Sequence, residues 1–154
     1  MERTSCPVVV IGAGPVGLAA AAHLLERGLE ALVLERGERV GASIASWGHV
    51  RLFTPWRYAT DPAAERLLGD SGWEMPDPES FPTGAELVNR YLEPLARHQR
   101  LRPSIRLGAE VVGVTRAGLD KMTTPGREDA PFLVTIRDAR GEESTQLAQA
   151  VIDA

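Results

Sequence analysis

Residues 7–20 read Pro7-Val8-Val9-Val10-Ile11-Gly12-Ala13-Gly14-Pro15-Val16-Gly17-Leu18-Ala19-Ala20, and after Arg27-Gly28 comes Ala31-Leu32-Val33-Leu34-Glu35. The opening run is short, β-branched and closed by a glycine, the pattern of a strand buried on both faces. Pro15 stands where a helix can begin, because a first-turn position needs no N–H. Residues 16–27 are rich in Ala and Leu and continue that helix, and Gly28 supplies its stop. Residues 31–34 form a second apolar strand. Strand, glycine turn, helix and strand within about 30 residues has the size of one βαβ unit, so a parallel sheet is predicted.

Gly12, Gly14 and Gly17 fit G-x-G-x-x-G without departure. In that pattern the first glycine permits a tight turn, the second lets backbone approach a pyrophosphate, and the third lets helix and strand pack closely. Pro15 and Val16 open the helix, whose free N–H groups and positive dipole end favour an anion. Glu35 follows Gly17 by 18 positions, near the separation of a ribose-binding acid. A carboxylate there accepts hydrogen bonds from both adenosine ribose hydroxyls and repels a 2′-phosphate. NADP is thereby disfavoured at this turn, and FAD or NAD remains. Arg36, next in line, is placed to meet adenine or phosphate, or else to be a solvated surface arginine.

Around this motif the chain has the make-up of a folded protein. Of 154 residues, 44% are hydrophobic and 25% charged, which excludes wholesale disorder. A net charge of −4 gives no electrostatic case for nucleic acid or an anionic membrane surface. Cys6 is the single cysteine, so no internal disulfide forms and a reduced, cytoplasmic setting is expected. The apolar stretch over 8–25 is interrupted by glycines, Pro15 and His23, unlike a signal peptide or a membrane span. Three histidines and one cysteine, without ligand spacing, point to no metal site.

Residues 37–82 hold all three tryptophans (Trp47, Trp56, Trp73) and show no strand period. They read as loops with one short helix over 62–68, capped by Asp61 with Pro62 first in the helix. His49, Arg51, Trp56, Arg57 and Tyr58 cluster there, either facing a ligand or forming a tryptophan-anchored loop. Residues 83–97 read as a helix with a Thr83/Glu86 capping box, broken or kinked at Pro94. His23 falls on a helix face, and His98 at a helix end where its charge would suit the dipole. Beyond Pro103, strands are predicted over 104–107, 110–116, 131–138 and 147–153, with a polar loop over 118–130 and a turn at Gly141. The last of these strands stops without a turn or polar tail, and the chain therefore reads as the N-terminal part of a longer protein.

An irregular stretch after Glu35, followed by alternating antiparallel strands, departs from a simple doubly wound NAD domain and favours FAD. The sequence resembles the N-terminal part of the FAD-dependent pyridine-nucleotide oxidoreductases, within them the flavin-containing monooxygenase-like group. The residues that carry this are the run over 8–20, Leu32-Val33-Leu34-Glu35-Arg36, and Ala150-Val151-Ile152-Asp153-Ala154, which is similar to the start of the family's second FAD motif. The resemblance implies an α/β fold: a Rossmann-like FAD-binding domain (βαβ with parallel sheet) plus an antiparallel β-meander, over residues 1–154. It implies FAD as cofactor, NAD(P)H as reductant bound outside these residues, and a small-molecule substrate. It places Val111 against adenine and Trp47, Arg51 and Leu52 near the flavin. Gly41-Ala42-Ser43-Ile44-Ala45-Ser46-Trp47 stands where the monooxygenases commonly have Gly-Gly-x-Trp, which leaves monooxygenase and reductase both open. A stand-alone NAD- or nucleotide-binding module without catalysis is the alternative.

Overall fold

The computed structural model describes residues 6–154. In chain order the elements are β1 (Val8–Ile11), α1 (Pro15–Glu26), β2 (Ala31–Leu34), α2 (Ala42–Ala45), α3 (Trp56–Ala59), α4 (Pro62–Gly69) and α5 (Gly84–Leu87). A π-helical turn (Val88–Leu92) leads into α6 (Glu93–Arg97), and a 3-10 turn (Arg102–Ser104) precedes β3 (Ile105–Arg106). The chain closes with β4 (Ala109–Arg116), β5 (Phe132–Asp138), β6 (Glu143–Ala148) and β7 (Ala150–Asp153).

Alternation within the short strands sets up three layers. The parallel sheet has the order β3-β2-β1-β7, with Val8 opposite both Ala31 and Ala150. Val8, Val10, Ala31 and Val33 point to one face and pack with Leu18 and Ala21 of α1, Leu67 of α4 and Leu95 of α6. Val9 and Leu34 point to the other face and pack with Ala109, Val134, Ile136 and Ala148 of the antiparallel meander β4-β5-β6. Because side chains alternate with period two, each four-residue strand serves both cores. Apolar residues at every position of β1 follow directly from this double burial.

The helical layer shows how local chemistry sets each boundary. Asp61 caps α4, its Oδ1 accepting from the N–H groups of Ala63 at 2.8 Å and Ala64 at 3.2 Å. Burial pushes the Asp61 carboxyl up. The Ala64 N–H, the His23 ring at 3.1 Å and the Ala63 N–H outweigh it and hold the group below its ordinary value. The buried Tyr91 hydroxyl accepts from the Asp61 N–H, and burial pushes it up to about 12. Thr83 and Glu86 form the reciprocal capping box.

The expected break at Pro94 takes a specific form. Pro94 has no N–H for the Arg90 carbonyl, and its ring crowds the turn below. The backbone widens into the π-helical turn, and the indole N–H of Trp73 donates to the Arg90 carbonyl at 2.7 Å. Trp73 also lies 6.0 Å from the Tyr91 ring, which ties the loop before α5 to this turn.

Two expectations need correction. The strand over 147–153 is two strands in different sheets: β6 ends at Ala148 and β7 starts at Ala150. Gln149 makes the crossing, its N–H donating to the Pro7 carbonyl at 3.1 Å. Residues 37–61, expected as loop, contain the one-turn helices α2 and α3. His98 is buried at 6% exposure, and its Nδ1 accepts the Arg100 N–H at 3.3 Å. His98 is the C-cap of α6, the helix end at which the sequence placed it. Among the described residues, no helix is long and apolar enough to cross a membrane.

Candidate functional site: a cleft at the glycine turn

β1 has β2 on one side and β7 on the other, so the strand order reverses at the carboxyl end of β1. Open α/β sheets bind ligands at such a switch point. A cleft of about 820 Å³ lies there, bordered by the glycine turn, the β2 end, α2 and the start of β4. A smaller hollow of about 380 Å³, between residues 38–40 and α6, contains none of the glycine-turn residues.

Each glycine of the turn has a distinct environment. Gly12 has φ +99°, in the region that favours glycine, and a Cβ there would lie 2.8 Å from the Ala154 carbonyl oxygen. A Cβ on Gly17 would lie 2.0 Å from the Gly12 carbonyl oxygen, so α1 sits on the turn without room for one carbon. Gly14, at φ −84°, is different: a Cβ there would meet nothing within 4 Å. The space beside Gly14 is cleft. No side chain caps α1, whose N-cap is Gly14 and whose first residue is Pro15. Among the described residues, the N–H groups of Val16 and Gly17 have no backbone partner, and both residues line the cleft. Free amides at a helix start, with open space before them, suit a phosphate group.

Glu35 stands across from this turn. Its Oε2 accepts the Ala13 N–H at 2.8 Å and its Oε1 accepts the Gly37 N–H at 2.7 Å. A carboxylate offers about four lone-pair sites, so acceptor capacity remains for a diol. Arg36 is exposed on the cleft wall. Val111 lines the cleft with Ala109 and Glu110, just before a β-bulge between Val111 and Gly113. A bulge re-aims the strand at such a rim.

Of the sequence-derived site residues, Gly12, Gly14, Pro15, Val16, Gly17, Glu35, Arg36 and Val111 come together around this cleft. Trp47, Arg51 and Leu52 do not line it. They join residues 81–84: the Trp47 ring covers Gly84, the Arg51 guanidinium donates to the Phe81 carbonyl, and the Leu52 N–H donates to the Pro82 carbonyl at 2.8 Å. The neighbouring cluster is a tryptophan-anchored loop, with Trp56 buried at 1% exposure and Arg57 paired to Glu79. Ala42, Ser43, Ile44 and Ser46 complete the cleft wall and carry no sequence signal of their own. A hydrogen bond from the Gly41 N–H to the Ala13 carbonyl, 2.9 Å, brings them there.

The family model for FAD dependent oxidoreductases matches residues 7–123. The chain belongs to the FAD dependent oxidoreductase family. The match includes the glycine turn, Glu35 and Val111. The chain is 34% identical to indole-3-pyruvate monooxygenase YUCCA1 of Oryza sativa subsp. japonica, over 73% of its own length and 27% of that protein's. Its fold is similar to that of bacillithiol disulfide reductase from Bacillus cereus, with TM-score 0.70 and 22% identity, over 96% of this chain and 38% of that one. It is equally similar to OTEMO in complex with FAD and NADP, with TM-score 0.70 and 23% identity, over 99% of this chain and 26% of that one. The Rossmann-like parallel sheet with a separate antiparallel meander is thus a shared fold. The chain spans about a quarter to two fifths of the length of these relatives.

Proposed function

We propose that this chain is the FAD-binding part of a flavin-dependent, NAD(P)H-linked oxidoreductase acting on a small molecule, with monooxygenation as the candidate reaction. The carrying observation is the open space beside Gly14, facing the free amides of Val16 and Gly17 and the carboxylate of Glu35 in one cleft. In this reading Gly12, Gly14, Pro15, Val16 and Gly17 receive the pyrophosphate. Glu35 takes the ribose hydroxyls, Arg36 flanks them, and the Val111 backbone meets adenine. Trp47, Arg51 and Leu52 lie along the chain beyond α2 and are assigned to the flavin side.

When bound, FAD supplies the electron-transfer chemistry, while the protein supplies binding and orientation. The reductant needs a second nucleotide turn, and the sequence contains one G-x-G-x-x-G only; NAD(P)H is therefore assigned to a site outside this chain. The similarity to indole-3-pyruvate monooxygenase YUCCA1 supports the reaction class. A single cysteine supports a reducing, cytoplasmic location.

The test is a titration of the purified chain with FAD, NAD and NADP, followed by flavin absorbance and calorimetry. FAD uptake is expected, with NADP the weakest of the three. Tight NAD binding without flavin uptake would overturn the proposal in favour of a nucleotide-binding module.

A further inference from the structure

Glu35 uses both of its carboxylate oxygens within the chain. Its two carboxylate oxygens hold two backbone amides from different segments: Ala13, inside the glycine turn, and Gly37, at the start of the loop leading to α2. The Ala13 carbonyl in turn accepts the Gly41 N–H, so the same residue is tied from both its amide and its carbonyl. Gly12 adds a further tie, its N–H donating to the Leu34 carbonyl at 2.8 Å. Both bonds to Glu35 are charge-assisted and short, the strong class of protein hydrogen bond.

We propose that Glu35 is a positioning residue: a carboxylate clamp that locks the glycine turn in register with the 37–41 loop, so that the cleft exists before the ligand does. Without the clamp, the amide of Ala13, a fully buried residue, is left unpaired and the turn has fewer restraints on its shape. With it, an incoming diol shares a carboxylate that is already oriented, and α2 is held at a set distance from the start of α1. Preorganisation of this kind reduces the ordering cost that binding must otherwise meet. The inference deepens the nucleotide reading and rests on it only for the purpose of the clamp; the two bonds to Glu35 stand without it.

The test is amide hydrogen exchange on the full chain without nucleotide, resolved by residue. In the native protein the Ala13 and Gly37 amides exchange at least tenfold more slowly than the Val16 amide at the open helix start. In Glu35→Gln one of the two amides loses its acceptor, and in Glu35→Asp the shorter side chain cannot span both. Both variants show at least tenfold faster exchange at Ala13 or Gly37, with protection inside β1 and α1 unchanged. That local pattern separates positioning from general loss of stability. A matching tenfold fall in the FAD association rate is expected.

If the native Ala13 and Gly37 amides exchange as fast as Val16, the clamp is wrong, and this outcome needs no variant to fold. Exchange rates unaltered by Glu35→Gln also overturn it. Should the native chain show the protected pattern yet take up no FAD, the proposed function fails and the clamp stands.

Discussion

Gly14 and Gly17 are three residues apart in one motif, yet the structure separates what they do. Ala at 17 drives a carbon into the Gly12 carbonyl oxygen, 2.0 Å away, and α1 must lift off the turn. Overpacking of this kind costs about 1–3 kcal/mol, so Gly17→Ala should lower the urea midpoint and weaken FAD together. Ala at 14 meets no protein atom and needs no special φ. Gly14→Ala should stay within about 0.5 kcal/mol of the native protein and lose at least tenfold in FAD affinity. Equal destabilisation by the two variants would contradict this division. Asp61 gives a pH-dependent case at the same scale. Its folded-state value lies below the ordinary 3.8, because two backbone amides and His23 outweigh the upward push of burial. The ionised group therefore stabilises the fold fully above that ordinary value, and the contribution is lost as pH falls towards the lower folded value. Asn keeps the cap but not the charge. Native protein should exceed Asp61→Asn in stability at pH 7, and urea titrations at pH 3 should show the gap narrowing.

Short-range chemistry made some elements legible and left others invisible. The βαβ unit, the Asp61 cap and the Thr83/Glu86 box were readable because each is a pattern of residue types at fixed spacing. The helices α2 and α3 were not, since four residues hold barely one turn and show no hydrophobic period. β6 was hidden for a different reason. Its sequence, Glu143-Ser144-Thr145-Gln146-Leu147-Ala148, is mostly polar, and its apolar end runs almost directly into β7. The same division holds for the site. The glycines and Glu35 carry chemistry in their identities, whereas Ala42, Ser43 and Ile44 reach the cleft only through a tertiary hydrogen bond at Gly41. Pro94 falls between: the break was foreseeable, its repair by Trp73 was not. That repair is measurable. Trp73→Phe removes a donor and should cost about 0.5–1.5 kcal/mol. In a Pro94→Ala background, residue 94 regains an N–H for the Arg90 carbonyl, and the same change should cost less. A double-mutant cycle by urea denaturation should give a coupling of about 0.5–1 kcal/mol. Strict additivity would remove Trp73 from the explanation.

The whole molecule has two cores on opposite faces of one thin sheet, and strands of four residues belong to both. The chain also enters the sheet twice through the meander: Ala109, which starts β4, bonds to the Glu35 carbonyl at 2.9 Å, and β6 hands over to β7 at Gln149. Neither layer can come apart without stripping one face of β1 and β2. Unfolding should therefore be a single transition, and a lesion in one layer should be felt in the other. The three tryptophans make this testable, because all lie on the helical side: Trp56 and Trp73 in or against its core, Trp47 over Gly84 of α5. Ile136, by contrast, is fully buried in the meander core and pairs with Val111 across the ladder. Ile136→Ala should cost about 2–5 kcal/mol. If the layers are one unit, tryptophan fluorescence and far-ultraviolet circular dichroism will show the same lowered midpoint. Fluorescence that keeps its native midpoint while dichroism shifts would mean that the meander melts alone. The cleft wall at Val111 would then be a separable part of the cleft rather than one built together with the glycine turn.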